Sequence, residues 1–254
     1  MISAHATHPG FVRQNNEDYI RTDDRLGIYL VADGIGGHNA GEVASALAVD
    51  TVFSIVHSNM PHTAVEEYGE LMIHAMNAAH WEVYGKARSD PSCAGMGTTL
   101  VVAIVRDSRV FIANVGDSRC YLFRRSWSEL HDAAPWPAKR CGRLSLLTRD
   151  HTVGAAMLAS GVPIERIPRK KFHTLTRSVG CGNPPVPDFT EVELAEGDLL
   201  LICSDGLTSM VTDAEIEGIL ARDEASLKSQ TEALIDAANA SGGKDNISVI
   251  LVEA

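Results

Sequence analysis

The stretch TTLVVAIVRDSRVFIANVGDSRCYLF, residues 98–123, decides the fold class. It holds three runs of β-branched and apolar residues: Thr98 to Val105, Arg109 to Val115 and Ser118 to Phe123. Runs of this length and composition predict strands. Only short polar breaks, Arg106-Asp107-Ser108 and Gly116-Asp117, separate them. Such breaks favour hairpins over helical crossovers, so the strands are expected to pair antiparallel.

Three further runs complete the predicted strands: Leu26 to Ala32, Asp198 to Ser204 and Ile247 to Val252. Apolar residues recur at helical spacing in three other stretches, from Ala44 to Ile55, from Val65 to Val83 and from Leu227 to Ala238. A helix with one apolar stripe buries that stripe against a sheet. We therefore predict one α+β domain, residues 1–254, in which helices cover an antiparallel β-sandwich.

Two segments interrupt this pattern. Residues 124–144 contain Trp127, a Pro135-Trp136-Pro137 run and several basic residues, which is typical of a surface insertion. The segment from Thr152 to Lys171 begins with a short helical pattern and continues through a glycine and two prolines. That composition predicts a mobile lid more than a core element.

The bulk composition excludes several classes of function. A formal net charge of −11 disfavours nucleic acid as a partner, because each phosphate contact normally needs a Lys or Arg. The five cysteines are odd in number and form no Cys-x-x-Cys pair, which favours a reducing compartment over zinc or redox chemistry. The apolar runs are strand-sized, and residues 1–18 contain no apolar signal core. We expect a cytoplasmic, monomeric protein that does not bind membranes.

Five aspartates stand at the ends of predicted strands. Three follow a strand and two precede one: Asp33, Asp117 and Asp205, then Asp18 and Asp245. In an antiparallel sheet the end of one strand lies beside the start of its neighbour, so these acids can gather on one rim. A single Asp-Gly after a strand is usually only a turn, but Asp33-Gly34 and Asp205-Gly206 sit in near-identical settings.

Carboxylates packed this closely repel one another or take up protons unless cations neutralise them. Oxygen-only ligands select hard ions such as Mg²⁺ or Mn²⁺. A two-metal centre of this kind can lower the pKa of a bridging water and orient it for attack on phosphorus. The acidic rim therefore predicts a metal-dependent hydrolase of phosphate esters.

Six motifs in order make the sequence resemble the metal-dependent Ser/Thr protein phosphatases of type 2C, in particular their bacterial branch. The resemblance runs almost from end to end of the chain. The motifs are Arg13 with Asn16-Glu17-Asp18, Val31 to His38 with Gly41-Glu42, Gly97-Thr98-Thr99, Gly116 to Arg119, Ser204 to Leu207, and Asp245-Asn246. The resemblance implies a central β-sandwich flanked by helix pairs, with metals in a cleft at one end. It also implies phosphoserine and phosphothreonine proteins as substrates and a cognate bacterial Ser/Thr kinase.

By matching position, the resemblance implies a role for each metal-site residue. Asp33 bridges the two main ions, the Gly34 carbonyl binds one of them, and Asp205 and Asp245 bind the other. Asp18 acts through metal-bound water. Asp117, together with Asp205, holds a third and weaker ion.

Arg13 matches the guanidinium that grips the substrate phosphate, a role suited to its planar, bidentate geometry; the plainer alternative is a solvated Arg. His38 is a candidate general acid, because imidazole titrates near working pH. The family's acid histidine, however, directly follows the metal-bridging Asp-Gly, where this chain has Ile35. A capping or loop-packing role for His38 therefore stays open.

Two other points stay open at this stage. Asn246 either orients Asp245 or a metal-bound water, or forms an Asx turn. Residues 152–174 correspond to the family's flap beside the active site, and here they carry Arg169-Lys170-Lys171. Such a run is either a solvated face or a patch that attracts acidic phosphopeptides.

Two other classes of function remain as alternatives: a non-catalytic relative that binds a phosphorylated or regulatory partner, and a two-metal phosphodiesterase or nuclease. The intact set of acids disfavours the first class. The acidic balance and the lack of a basic, aromatic groove disfavour the second.

Overall fold

A computed structural model describes residues 1–35, 40–125, 144–222 and 226–254, together with the backbone of residues 139–141. Its strands are β1 (Ile2–His8), β2 (Asp18–Asp23), β3 (Ile28–Ile35), β4 (Gly97–Thr98), β5 (Leu100–Arg106), β6 (Arg109–Val115), β7 (Arg119–Phe123), β8 (Lys139–Cys141), β9 (Leu144–Leu146), β10 (Asp188–Glu193), β11 (Leu199–Cys203) and β12 (Ile247–Glu253). Its helices are α1 (Gly41–Asn59), α2 (Tyr68–Ser89), α3 (Val153–Ala159), α4 (Asp205–Thr208), α5 (Asp213–Leu220) and α6 (Leu227–Ala240).

The strands form two antiparallel sheets. The first has the order β1-β12-β11-β7-β9-β8, and the second has the order β10-β6-β5-β3-β2, with β4 paired to β3. Helices α1 and α2 pack on each other and on the second sheet, while α5 and α6 pack on each other and α6 packs on β1 and β12. The α+β sandwich flanked by helix pairs is thus confirmed.

Three apolar layers hold these four layers of structure together. Period-2 alternation divides the side chains of β3: Leu30 faces α1 and α2, whereas Tyr29 and Val31 face the other sheet. Strand β11 divides in the same way, with Leu201 toward the α5 and α6 side and Ile202 between the sheets. Strands β3 and β11 are therefore apolar on both faces over most of their length, which explains their continuous hydrophobic runs.

Among the residues that the structure describes, one helical segment, Gly41–His62, is long and apolar enough to cross a membrane. Its apolar stripe, which includes Ala44, Ala48 and Val52, is instead fully buried in the layer between α1, α2 and the second sheet. Core helices of globular proteins commonly meet the same criterion.

The element boundaries differ from the sequence prediction for local reasons. Strand β3 begins at Ile28 because Gly27 has a φ of +70°, and a Cβ there would lie 2.4 Å from the Val105 carbonyl oxygen. The run from Thr98 is split at Thr99, whose hydroxyl accepts a hydrogen bond from the Asp33 backbone. Val65–Glu67 is a separate 3₁₀ turn before α2.

The sequence did not predict β1 and β10, which both lie at sheet edges. Their residues alternate between half-buried and exposed, so their hydrophobic signal is weak. Of the expected insertion, residues 126–138 and 142–143 lie outside the described residues. The segment from Thr152 to Lys171 forms α3 and short 3₁₀ turns, at Ile164–Arg166 and Arg169–His173.

Candidate metal centre and active site

The layer between the two sheets changes from apolar to polar at one end. The row Tyr29, Val31 of β3 continues with Asp33, and the row Leu200, Ile202 of β11 continues with Ser204. Other rows end in buried hydroxyls in the same way, at Thr99, Ser118 and Ser248. Since every second residue faces the same side of a strand, this end of the sandwich forms a polar floor.

The five predicted aspartates lie at this end. Asp18 stands directly opposite Asp33 in the β2–β3 pairing. Asp205 follows Ser204 at the end of β11, where Ser204 donates its backbone N–H to Ser248 of β12. Asp245 comes two residues before β12, and Asp117 two residues after β6. The antiparallel register thus brings together acids that are up to 227 positions apart in sequence, from Asp18 to Asp245.

Burial and mutual repulsion perturb these carboxyls. Burial, followed by the charges of Asp18, Asp205, Asp117 and Asp245, raises the pKa of Asp33 well above its ordinary value. Burial also raises the pKa of Asp117 to about 7, with a further contribution from Asp205. At neutral pH, without cations, part of this cluster would hold protons.

Asp18 has one satisfied and one unsatisfied oxygen. Its Oδ2 accepts a 2.7 Å hydrogen bond from the Ser204 hydroxyl, whereas its buried Oδ1 has no partner among the described residues. Burial raises the pKa of Asp18 to about 7, even though the Ser204 hydrogen bond favours the charged form. A buried oxygen without a partner is costly unless a ligand completes it.

Arg13 lies on the loop between β1 and β2 and is half exposed. Its Nη2 contacts Asp245 Oδ2 at 2.9 Å. The pairing of β1 with β12 brings this loop to Asp245, and the Phe11 N–H donates to the Gly243 carbonyl. Arg13 therefore stands at the edge of the acidic cluster.

Asn246 anchors the same loop. Its Oδ1 accepts from the Glu17 N–H at 2.8 Å, and its Nδ2 donates to the carbonyls of Pro9 and Asn15. Its backbone N–H also bonds Asp245 Oδ1. The contact with Asp245 fits the interpretation that Asn246 orients this acid, and the side chain in addition holds the Arg13 loop in place, which the sequence did not predict.

Two glycines permit close backbone approach at the site. A Cβ on Gly34 would lie 2.2 Å from the Gly41 carbonyl oxygen, and one on Gly206 would lie 1.9 Å from the Asn246 carbonyl oxygen. Neither position can carry a side chain without moving the backbone.

A cavity of about 220 Å³ lies beside the cluster. Its lining includes Asp117 and Asp205, the paired Arg119 and Asp150, and Phe172 and His173 of the segment 152–174. The Nδ1 of His173 lies 3.4 Å from Asp205 Oδ2. This segment therefore borders the acidic cluster.

The arrangement fits divalent cations, although in the described part of the chain no three His, Cys, Asp or Glu side chains already stand at metal-binding spacing. Uncompensated carboxylates keep apart. The donors are all oxygens, two of the acids titrate near pH 7, and Asp18 Oδ1 lacks a partner. Hard divalent ions prefer such oxygen donors. They would displace the protons from the two acids and give Asp18 Oδ1 a partner.

The sequence analysis gave several residues of this site no role, although Ser204, Glu17 and Glu42 lie within its six motifs. Ser204 could have been found, because it faces the same side as Ile202 and precedes Asp205. Glu17 and Glu42 also lie close together, and their repulsion contributes to raising the pKa of Glu17 after burial. His173 gave no signal, since its approach to Asp205 depends on tertiary structure. His38 lies outside the described residues.

Comparison with known proteins gives a consistent picture over the whole chain. The family model for protein phosphatase 2C matches residues 7–251. The chain is 36% identical, over 254 residues, to the serine/threonine phosphatase stp of Listeria innocua, and the match covers 97% of this chain and 93% of that protein.

Solved structures agree with this match. The S. agalactiae serine/threonine phosphatase superposes with a TM-score of 0.82 at 32% identity, covering 100% of this chain and 99% of that one. The catalytic domain of the serine/threonine phosphatase PstP, solved with two manganese ions, gives a TM-score of 0.80 at 28% identity, with coverages of 99% and 97%.

Proposed function

The chain belongs to the protein phosphatase 2C family and is a metal-dependent protein serine/threonine phosphatase with a dinuclear centre, and we propose that the aspartates at the polar end of the sandwich form its active site. The observation that carries this proposal is the pair of facing acids, Asp18 and Asp33. Both are held in register, both have a raised pKa, and Asp18 has a buried oxygen without a partner.

We assign the two main ions to Asp33, the Gly34 carbonyl, Asp205 and Asp245. When bound, the ions neutralise the acids and activate water for attack on phosphorus. Asp18 is held by Ser204 so that its free oxygen can orient water at this centre. Gly34 and Gly206 keep the backbone close enough for these groups to converge.

Arg13 is proposed to bind the phosphate of the substrate. Its guanidinium presents several N–H donors, and the contact with Asp245 uses only Nη2. The remaining donors, held in the planar fork of the guanidinium, are free to bind a phosphate oxygen while the contact with Asp245 is kept.

For the leaving group, we propose His38 as the proton donor. Only the sequence supports this assignment. His38 lies within the motif that contains Asp33, and imidazole titrates near neutral pH. Ile35, which stands where the family has its acid histidine, cannot donate a proton.

A third, weaker ion is proposed at Asp117 and Asp205. These acids line the same cavity, and the charge of Asp205 contributes to the raised pKa of Asp117. Mn²⁺ and Mg²⁺ both suit carboxylate and carbonyl oxygens.

Phosphoproteins are the substrates, and we propose that the enzyme opposes a bacterial Ser/Thr kinase. We further propose that residues 1–254 form a single domain that acts as a monomer in the cytoplasm. The pairing of β1 with β12, at opposite ends of the chain, supports the single domain. The four cysteines among the described residues are all unpaired, which suits a reducing compartment.

Metal titration beside kinetics tests the assignment. After chelation, hydrolysis of a phosphothreonine peptide should stop and should return with Mn²⁺ or Mg²⁺, while a dinucleotide should not be cleaved. Asp205→Asn should weaken the main-site ions in calorimetry and nearly abolish turnover. Asp117→Ala should keep two ions at near wild-type affinity but slow hydrolysis of the phosphopeptide.

Asp107→Asn is the matched control, because Asp107 is exposed in the β5–β6 turn at the far end of the strands and Asn tolerates its φ of +50°. It should behave as wild type. Loss of main-site binding in Asp117→Ala, or full activity after rigorous chelation, would contradict the assignment.

A further inference from the structure

A basic turn, Arg169-Lys170-Lys171, stands at the rim of the active site in this acidic protein. The turn belongs to the 3₁₀ segment Arg169–His173, whose last residue contacts Asp205. A 3₁₀ turn rises about 2 Å per residue, so the three cations begin within about 8 Å of His173 along the turn. The backbone of the three cations therefore lies close to the proposed cleavage site, within the reach of their long side chains.

Within the described part of the chain, these cations form no ion pair that would serve the fold. Arg169 and Lys170 are exposed and Lys171 is half-buried. None of the three comes within 4.0 Å of a carboxylate of the described residues, whereas Arg119, Arg124 and Arg177 each do. Cations with a structural role would be expected to pair with carboxylates, as those three arginines do.

The turn is also held rigidly. Phe172 packs against Gly154 of α3, where an added Cβ would lie 2.7 Å from the ring. The Thr174 hydroxyl donates to the Lys170 carbonyl at 2.8 Å, and the Lys171 N–H donates to the Pro168 carbonyl at 2.8 Å. A preorganised backbone lowers the entropy lost when a ligand binds.

Charge then indicates the ligand. The whole chain carries −11, so its long-range field repels a phosphopeptide that bears further acidic groups. Three cations that pair with no carboxylate of the described residues can attract the same acidic groups at short range. An extended peptide advances about 3.3 Å per residue, so a side chain up to three residues from the phosphorylated one can reach the turn.

We propose that Arg169, Lys170 and Lys171 form an anion subsite that selects phosphoprotein segments carrying an acidic group within three residues of the phosphorylated Ser or Thr. The subsite rests on the proposed active site. Its ligand is an Asp or Glu carboxylate or a second phosphate on the same polypeptide.

The test compares phosphothreonine peptides of one length. One series carries a single Glu at each position from three before to three after the phosphothreonine, and the reference peptide carries Gln throughout. A second series carries a non-hydrolysable phosphonate in place of Glu. These arms separate a carboxylate from a second phosphate as the ligand.

The variant is Arg169→Gln, Lys170→Gln and Lys171→Gln together. The charge-matched control is Arg25→Gln, Arg106→Gln and Lys228→Gln. Arg25 and Arg106 lie in hairpin turns at strand ends remote from the aspartates, and Lys228 lies in the first turn of α6. Both triple variants change the net charge equally, so general electrostatics cannot explain a difference between them.

In the wild-type enzyme, kcat/KM for the best acidic peptide should exceed that for the Gln peptide about tenfold, mainly through KM, since exposed charge pairs give factors of a few each. The basic-turn variant should reduce that ratio to below about twofold, and the control should keep it. Hydrolysis of p-nitrophenyl phosphate, which has no flanking residues, should be unchanged in both variants.

Equal ratios in the wild type and the basic-turn variant, or no preference in the wild type, would overturn the subsite alone. Failure of the wild-type enzyme to hydrolyse any phosphopeptide would instead overturn the proposed active-site function, and the subsite with it.

Discussion

Removing metal should make the stability of this protein fall as the pH rises, and Asp18→Asn should remove part of that fall. Asp18 is buried, and its pKa in the folded protein is raised from about 3.8 to about 7. The folded state therefore binds a proton more tightly than the unfolded chain does. Such a group contributes stability below pH 4, and this contribution is lost as the pH rises from about 4 to about 7.

The size of the effect follows from the change in pKa. A rise in pKa of about three units, at about 1.36 kcal/mol for each unit, changes the free energy of unfolding by on the order of 4 kcal/mol. Asn at this position keeps an oxygen that can accept from the Ser204 hydroxyl but never becomes charged. In chelator at pH 8, Asp18→Asn should therefore be more stable than wild type by up to this amount, and at pH 4 the two should be nearly equal.

Urea denaturation in chelator at pH 4, 5, 6, 7 and 8 measures this difference. Asp107→Asn, which changes an exposed carboxyl, is the control and should track wild type. Burial lowers the pKa of His80 and His151, which gives a slope of opposite sign, but that slope is shared by all three proteins and cancels. Added Mn²⁺ should stabilise wild type most, because the ions replace the protons. An Asp18→Asn protein no more stable than wild type at pH 8 would refute the reasoning.

Three further outcomes are expected. Arg13→Ala should raise KM for phosphopeptides and affect turnover less, because the guanidinium is expected to bind the substrate phosphate. Metal affinity should change only slightly, since Arg13 contacts the proposed ligand Asp245 but not the ions. Unchanged kinetics would show that Arg13 is only a surface residue. Gly206→Ala should lower activity and stability together in kinetic and urea measurements, because its methyl group would lie 1.9 Å from the Asn246 carbonyl oxygen. His151→Ala should cost about 2–4 kcal/mol in urea denaturation, since it opens a cavity and leaves a buried N–H without its acceptor; a loss below about 1 kcal/mol would contradict this.

The fold could be predicted from the sequence because its central strands carry an unambiguous signal. The run from Arg109 to Val115 is buried on both faces, and its predicted ends coincide with those of β6. The edge strands could not be predicted, because β1 and β10 present one face to solvent and lack that run. Whether an edge segment forms a strand depends on the neighbouring strand with which it pairs, and the local sequence pattern gives no information about that neighbour.

The gathering of the aspartates at one end of the sandwich could be predicted for a related reason. Antiparallel pairing alone places Asp18 opposite Asp33, so the positions of the strand ends were enough to predict that these acids lie close together. The sequence contains the basic run Arg169-Lys170-Lys171, but it did not show that this run lies beside Asp205. That position depends on Phe172 packing on Gly154 and on His173 reaching Asp205, which are contacts between distant parts of the chain.

The alternation of the strands gives a sharper rule than strand ends do. Side chains that continue an inward apolar row should be apolar, and Tyr29 and Val31 obey this while Asp33, two positions on, does not. A carboxyl in that row weakens the fold unless a ligand neutralises it, so stability alone does not account for it. The departure from the pattern thus supports the proposed active site at this end of the sandwich, and it predicts that the protein needs its ions for stability as well as for activity.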